Sequence, residues 1–98
     1  MTEQTTAVTV FIEIHANPGE ETIARDALIH AIATSDKPGF LGSSVYEDLR
    51  DPAAFYSIQE WQDAASFHAH MGEARDGMSE ATSMLREAPH TAVLRRIA

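Results

Sequence analysis

The sequence predicts an α+β fold with the element order β-α-β-β-α-β. Three observations carry this. Residues 8–15, "VTVFIEIH", alternate at period 2 and are rich in β-branched types; two Ala-rich stretches repeat their apolar residues at helical spacing; and two further strand-like runs, "FLGSSVYED" and "FYSIQEWQ", are joined by a reversal at "LRDPAA". That order is the split βαβ, or ferredoxin-like, arrangement: a four-stranded antiparallel sheet with both helices on one face.

Each element has a local reason. In the first strand Val8, Val10, Ile12 and Ile14 line one face, and Thr9, Phe11, Glu13 and His15 the other. "NPGEE" then reads as a helix start, with Asn17 as cap, Pro18 at the first helical position and Glu20 reaching back. Ile23, Ala24, Ala27, Leu28 and Ala31 form the expected apolar stripe, with Thr22, Arg25, Asp26 and His30 facing away, and the helix stops before "DKPG". The second strand runs from Phe40 to Asp48, with Gly42 at a bulge or a close backbone approach.

Asp51-Pro52 turns the chain into a third strand, Phe55 to Gln62. Phe55, Ser57, Gln59 and Trp61 share one of its faces, and Tyr56, Ile58 and Glu60 the other. Asp63 caps the second helix. Met78, Ala81, Leu85 and Ala88 keep helical spacing, which predicts helix through about Glu87 before Pro89 ends it and "HTAVLRRI" forms the fourth strand.

A chain of 98 residues makes one domain, residues 1–98, without internal repeat or linker. The formal charge of −8 argues against nucleic acid or an anionic membrane as partner, because phosphate binding needs clustered cations. No cysteine is present, which excludes disulfides, thiolate nucleophiles and zinc–thiolate sites. "MTEQTTAV" carries no basic-then-apolar leader and no apolar run is long enough to span a bilayer, so a cytoplasmic protein is expected. Large apolar groups stand on both faces of the first and third strands, and a sheet face left uncovered by helices needs a partner. A homodimer packed sheet to sheet is therefore expected.

The candidate chemistry sits in few residues. His68 and His70 form an HxH pair, but two helical positions lie about 200° apart, which is a poor geometry for a shared metal beside the i, i+4 spacing that helical pairs use. No metal site is expected. His70 reaches toward the sheet end beside Trp61, although a hydrogen-bonded structural histidine is the plainer role. Trp61 is either core or the wall of a pocket for a flat, partly polar ring, with Ser57 and Gln59 on its own face and Phe55 below. Glu13 and His15 are open to two placements: on that same face, where His15 serves as general acid or base beside Phe11, or on an ordinary solvated edge. No phosphate loop, nucleophile elbow or flavin or nicotinamide fingerprint is present.

At "KPGFLGS", "DPAAFYSIQEWQDAASFHAHM" and "APHTAVLRRI" the chain resembles the antibiotic-biosynthesis monooxygenase superfamily. The most specific feature is a strand ending in Glu60-Trp61, followed by the Asp63 cap and an Ala-rich helix bearing His70. The resemblance implies a dimeric α+β barrel of ferredoxin-like protomers, each with a pocket between helices and sheet. It implies oxidation of a small phenolic or polyketide-type aromatic substrate by molecular oxygen as co-substrate, without cofactor. The quinone-forming members pair the Trp with an Asn four residues earlier; Ser57 stands there in this chain. Haem-degrading relatives place an Asn in the first strand, which "VFIEIH" lacks. Two alternatives stay open: a non-oxidative cyclase or isomerase of a polyketide-like substrate, and a non-catalytic ligand-binding dimer.

Overall fold

The computed structural model describes residues 7–33, 37–73 and 82–98. The elements are β1 (Val8–His15), α1 (Glu21–Ala33), β2 (Phe40–Glu47), β3 (Ala54–Trp61), α2 (Ala64–Glu73), a 3₁₀ turn (Thr82–Met84) and β4 (His90–Leu94). The four strands form one sheet in the order β2-β3-β1-β4, antiparallel throughout. This is the ferredoxin-like α+β arrangement expected from the sequence.

The strand register fixes the two faces, because directly paired residues project to the same side of a sheet. Val8 pairs with Trp61, Val10 with Gln59, Ile12 with Ser57 and Ile14 with Phe55. These residues form the helix-covered face. Two buried clusters lie on it: Val8, Val10, Trp61 and Phe67, joined by Phe40, Ala64 and Met71 from β2 and α2; and Ile14, Ala16, Ala24 and Phe55, joined by Leu28 from α1 and by Leu85. Ile12 touches both, so the Ile12–Ser57 pair marks the seam between the clusters.

Several expected details shift. Asn17 does not cap α1. Asn17-Pro18-Gly19-Glu20 is a turn closed by the Glu20 N–H on the Asn17 carbonyl at 3.0 Å, with Gly19 at φ 88°. Pro followed by a left-handed Gly is the type II pattern, and it wins over helix at Pro18. The helix then begins one turn later, the Ala24 N–H reaching the Glu20 carbonyl at 2.9 Å. Ile23 falls off the predicted stripe at 58% exposure, while Ala24 is buried and Leu28 half-buried; the side chain of Ala31 lies outside the described residues.

The helix expected to continue through Glu87 is also corrected at its end. Thr82–Met84 is a 3₁₀ turn, and Leu85 bridges to Ala16. Two backbone bonds to the end of β1, Asn17 N–H to Met84 O at 2.9 Å and Arg86 N–H to His15 O at 2.8 Å, compete successfully with helical bonding there. Met78 and Ala81 of that reading lie outside the described residues. β4 ends at Leu94, which leaves Arg95 to Ile97 beyond the strand.

α2 begins as expected. The Asp63 carboxylate accepts the Ser66 N–H at 2.7 Å, and bonds from the Ser66 amide and hydroxyl hold the Asp63 carboxyl below the usual carboxylate range. The turn before β2 is a second X-Pro-Gly-X reversal: Phe40 N–H bonds Lys37 O at 3.1 Å and Gly39 has φ 85°. Its Gly39 carbonyl accepts the Gln62 N–H at 2.8 Å, which ties the turn to the start of α2. A Cβ at Gly39 would lie 2.4 Å from Ser66 Oγ and 2.6 Å from Ser66 Cβ. The register shift between Phe40 and Gly42 is the bulge predicted at Gly42.

Gly39→Ala is expected to cost about 1–3 kcal/mol from the left-handed backbone alone, with the Ser66 clash added. Gly72→Ala meets open space within α2 and should gain up to about 1 kcal/mol; urea unfolding of the two variants checks the contrast. Asp63→Ala should lower the melting temperature at pH 7. Because the folded-state carboxyl is depressed, that contribution is present above the reference value of 3.8 and lost as pH falls through the lower folded value. The gap between variant and wild type should therefore close in acid, as thermal melts across pH 2–7 would show.

Candidate active site

Trp61 ends β3 at 1% exposure, enclosed by aromatic rings from three directions. Phe40, its partner on β2, meets it edge-on with centroids 5.2 Å apart; Phe67 of α2 does so at 5.9 Å; and the His70 ring lies at 5.3 Å with only 30° between planes. Phe67 and His70 both face the sheet because they are three residues apart on one helix face. The indole N–H donates to Gln59 Oε1 at 2.9 Å, which satisfies the one polar atom of a buried tryptophan.

Ser57 is fully buried at the seam, its hydroxyl 3.5 Å from that of Ser43. Phe55 is buried in the cluster under α1, away from Trp61. Of the expected site, then, Trp61, Gln59, Ser57 and Phe55 share the helix-covered face, and His70 joins them through Trp61. His68 is exposed and leans on Phe67 instead, with centroids 5.5 Å apart. The HxH pair is split across α2 as helical geometry requires. Among the described residues no group of three His, Asp or Glu side chains converges to hold a metal ion.

Glu13, His15 and Phe11 are on the other face of the sheet, so their possible placement beside Trp61 is corrected. Register is the reason: Glu13 pairs with Tyr56 and His90, and Phe11 with Ile58 and Ala92. Period-2 alternation separates the two sets along each strand, but the relative register of β1 and β3 decides which sets meet. On this uncovered face Phe11 stacks on Tyr56 at 5.7 Å, and His15 Nε2 lies 2.6 Å from Glu13 Oε2. Arg86 Nη2 donates to His15 Nδ1 at 3.3 Å; since a guanidinium only donates, the Nε2–H is the nitrogen that donates to Glu13. The Tyr56 hydroxyl donates to Asp48 at 2.9 Å, and the Arg50 amide together with this hydroxyl holds the Asp48 carboxyl low. Glu87, 2.8 Å from His90, pushes that imidazole up.

A cleft of about 310 Å³ opens beside α2, lined by Lys37, Pro38, Asp63, Ala65, Ser66, Ala69 and His70. His70 is thus the residue through which Trp61 communicates with a solvent-facing cavity. The volume stands at the lower end of small-molecule sites, about 300–1,000 Å³. Sequence reasoning found His70 and Trp61 but missed Lys37 and Ser66. The available signal was only that Lys37 is the chain's one lysine and directly precedes Pro38-Gly39.

No curated protein matches the chain. Among solved structures, the Pseudomonas aeruginosa protein PA3566 is 26% identical and aligns over 99% of this chain and 100% of its own, with a TM-score of 0.84. A crystal structure described as an antibiotic biosynthesis monooxygenase is 18% identical over 93% of this chain and 99% of its own, with a TM-score of 0.80. Rv0793 from Mycobacterium tuberculosis is 16% identical over 95% and 97%, with a TM-score of 0.83. The latter two, at such identities, share the fold. The family model for antibiotic biosynthesis monooxygenases matches residues 7–75, from the first strand through the helix that carries His70. By that match over well more than half its length, the chain belongs to the antibiotic biosynthesis monooxygenase family.

Proposed function

We propose that the protein is a cofactor-independent monooxygenase that oxidises a small phenolic or polyketide-type ring with molecular oxygen, working as a homodimer. The observation that carries this is the His70 imidazole, which lines the cleft on one side and lies against Trp61 on the other. An imidazole exchanges protons near neutral pH, and a ring held against it can be deprotonated in place.

The chemistry balances without a further reductant. His70 takes a proton from the ring hydroxyl or from an activated ring methylene. The resulting anion passes one electron to oxygen, and the radical and superoxide recombine at carbon as a hydroperoxide. His70 returns its proton, a second ring proton leaves, and water departs to leave a new carbonyl. One ring CH₂ and O₂ thus become C=O and H₂O. The protein contributes position and an environment that favours the anion. His70 replaces His15 as the base in this reading, because His15 is on the uncovered face. Gln59 positions the indole rather than the ligand. The homodimer is supported by the Phe11, Tyr56 and Ile58 surface, which neither helix covers.

The full burial of Ser57 and Trp61 favours a second reading, a ligand-binding dimer in which these residues are core. Oxygen uptake separates the two. Wild-type protein with anthrone or 1-naphthol should consume oxygen, with one atom of O₂ in the product. His70→Gln should lower the rate by about a hundredfold or more, and Trp61→Phe by a smaller factor. Absence of uptake across both substrates, with product mass unchanged, would contradict the oxygenase reading.

A further inference from the structure

We propose that Lys37 is a second catalytic residue of this cleft, its ammonium stabilising the phenolate that forms when His70 takes the ring proton. The inference rests on the cleft being the substrate site and adds the group that makes the anion accessible.

The electrostatic problem is specific to this chain. Its formal charge is −8, and an anion formed inside so acidic a protein is disfavoured unless a cation stands beside it. Proton transfer gives a phenolate beside a His70 imidazolium, and that positive charge is lost again when His70 returns its proton; a lysine ammonium does not depend on where the proton is. Of the side chains lining the cleft, Lys37 is the one permanent cation, and it is the only lysine in the sequence. Asp63, the carboxylate among them, has an oxygen committed to the Ser66 N–H as the cap of α2.

Lys37 is also fixed at its backbone, unlike an ordinary surface lysine. Its carbonyl closes the turn onto the Phe40 N–H, Pro38 restricts the next residue, and the Gly39 carbonyl holds the Gln62 N–H. The close approach of Gly39 to Ser66 seats this turn against the first turn of α2, the helix that bears His70 one turn further on. Lys37 and His70 therefore face one cavity from two elements locked together. Both residues line a cleft of about 310 Å³, a volume that can hold a one- or two-ring phenol. An ammonium carries three donors, so it can serve a protein partner and a ligand oxygen together.

The test uses 4-nitrophenol under nitrogen, whose ionisation is read by absorbance in the presence of the full-length wild type, Lys37→Gln and Lys37→Arg. A cation within about 4–6 Å lowers such an acid by about one unit or more. Wild type and K37R should lower the apparent pKa of the bound phenol, and K37Q should return it toward the free value. Loss of binding in K37Q with binding kept in K37R supports the same conclusion. The proposal is overturned if K37Q and wild type shift the phenol equally, if wild type leaves it unshifted, or if wild type does not bind it. Because the assay excludes oxygen, an intact shift in a protein that consumes no oxygen removes the oxygenase reading and leaves Lys37 as an anion-binding group.

Discussion

The indole of Trp61 occupies the point where β3 ends and α2 begins, and most of the fold around the cleft is arranged to bury it. Phe40 reaches it from β2, Val8 from β1, and Phe67 and His70 from α2. Aromatic pairs of this kind add about 0.5–1.5 kcal/mol each beyond the area they bury. Two edge-on partners and a third, tilted ring thus bind β2, β3 and α2 into one unit. The Gly39–Ser66 approach and the Asp63 cap then set where α2 starts, and hence how far along the sheet His70 falls. A helix begun one residue later would turn His70 by about 100° and take it off the indole.

Two polar systems result, on opposite sides of the sheet. On the helix side, His70 connects the buried indole to solvent through the cleft. On the uncovered side, Glu13, His15 and Arg86 form a chain of hydrogen bonds beside Phe11 and Tyr56. The second system has the chemistry of a relay and stands next to the apolar strip of Phe11 and Tyr56. Polar residues with their partners already supplied, ringing an apolar centre, are the anatomy of an association surface. The sheet therefore carries a cleft on its helix side and, on the other, an apolar strip flanked by paired polar groups.

Much of this was legible in the sequence, and the failures have physical causes. Strand β1 was readable to its ends because alternation over eight β-branched-rich residues leaves no competing period. Helical angles separate His68 from His70 whatever the tertiary context, so their split across α2 is legible from the spacing alone. Glu13 and His15 could not be assigned to a face, since alternation says which residues belong together along a strand and not which strand face meets the helices. Pro18 suits both a helix start and a Pro-Gly turn, because the two rules share their first residue; Gly19 decides for the turn. The end of the segment before β4 was decided by backbone bonds to β1, which are sixty and more residues away in sequence. Lys37 carried no motif of its own, and only its position across from α2 gives it meaning.

The claim on which the rest stands is that His70 and Trp61 are in contact, so that a proton on one is felt by the other. Trp61 is the chain's single tryptophan, so its emission can be read without interference. A charged imidazolium quenches a neighbouring indole, and imidazoles change charge between about pH 5 and 8. Emission from the wild-type protein should rise in a step as pH increases, and that step should vanish in His70→Gln. An emission that is flat across the range, or a step that survives unchanged in His70→Gln, would contradict the account.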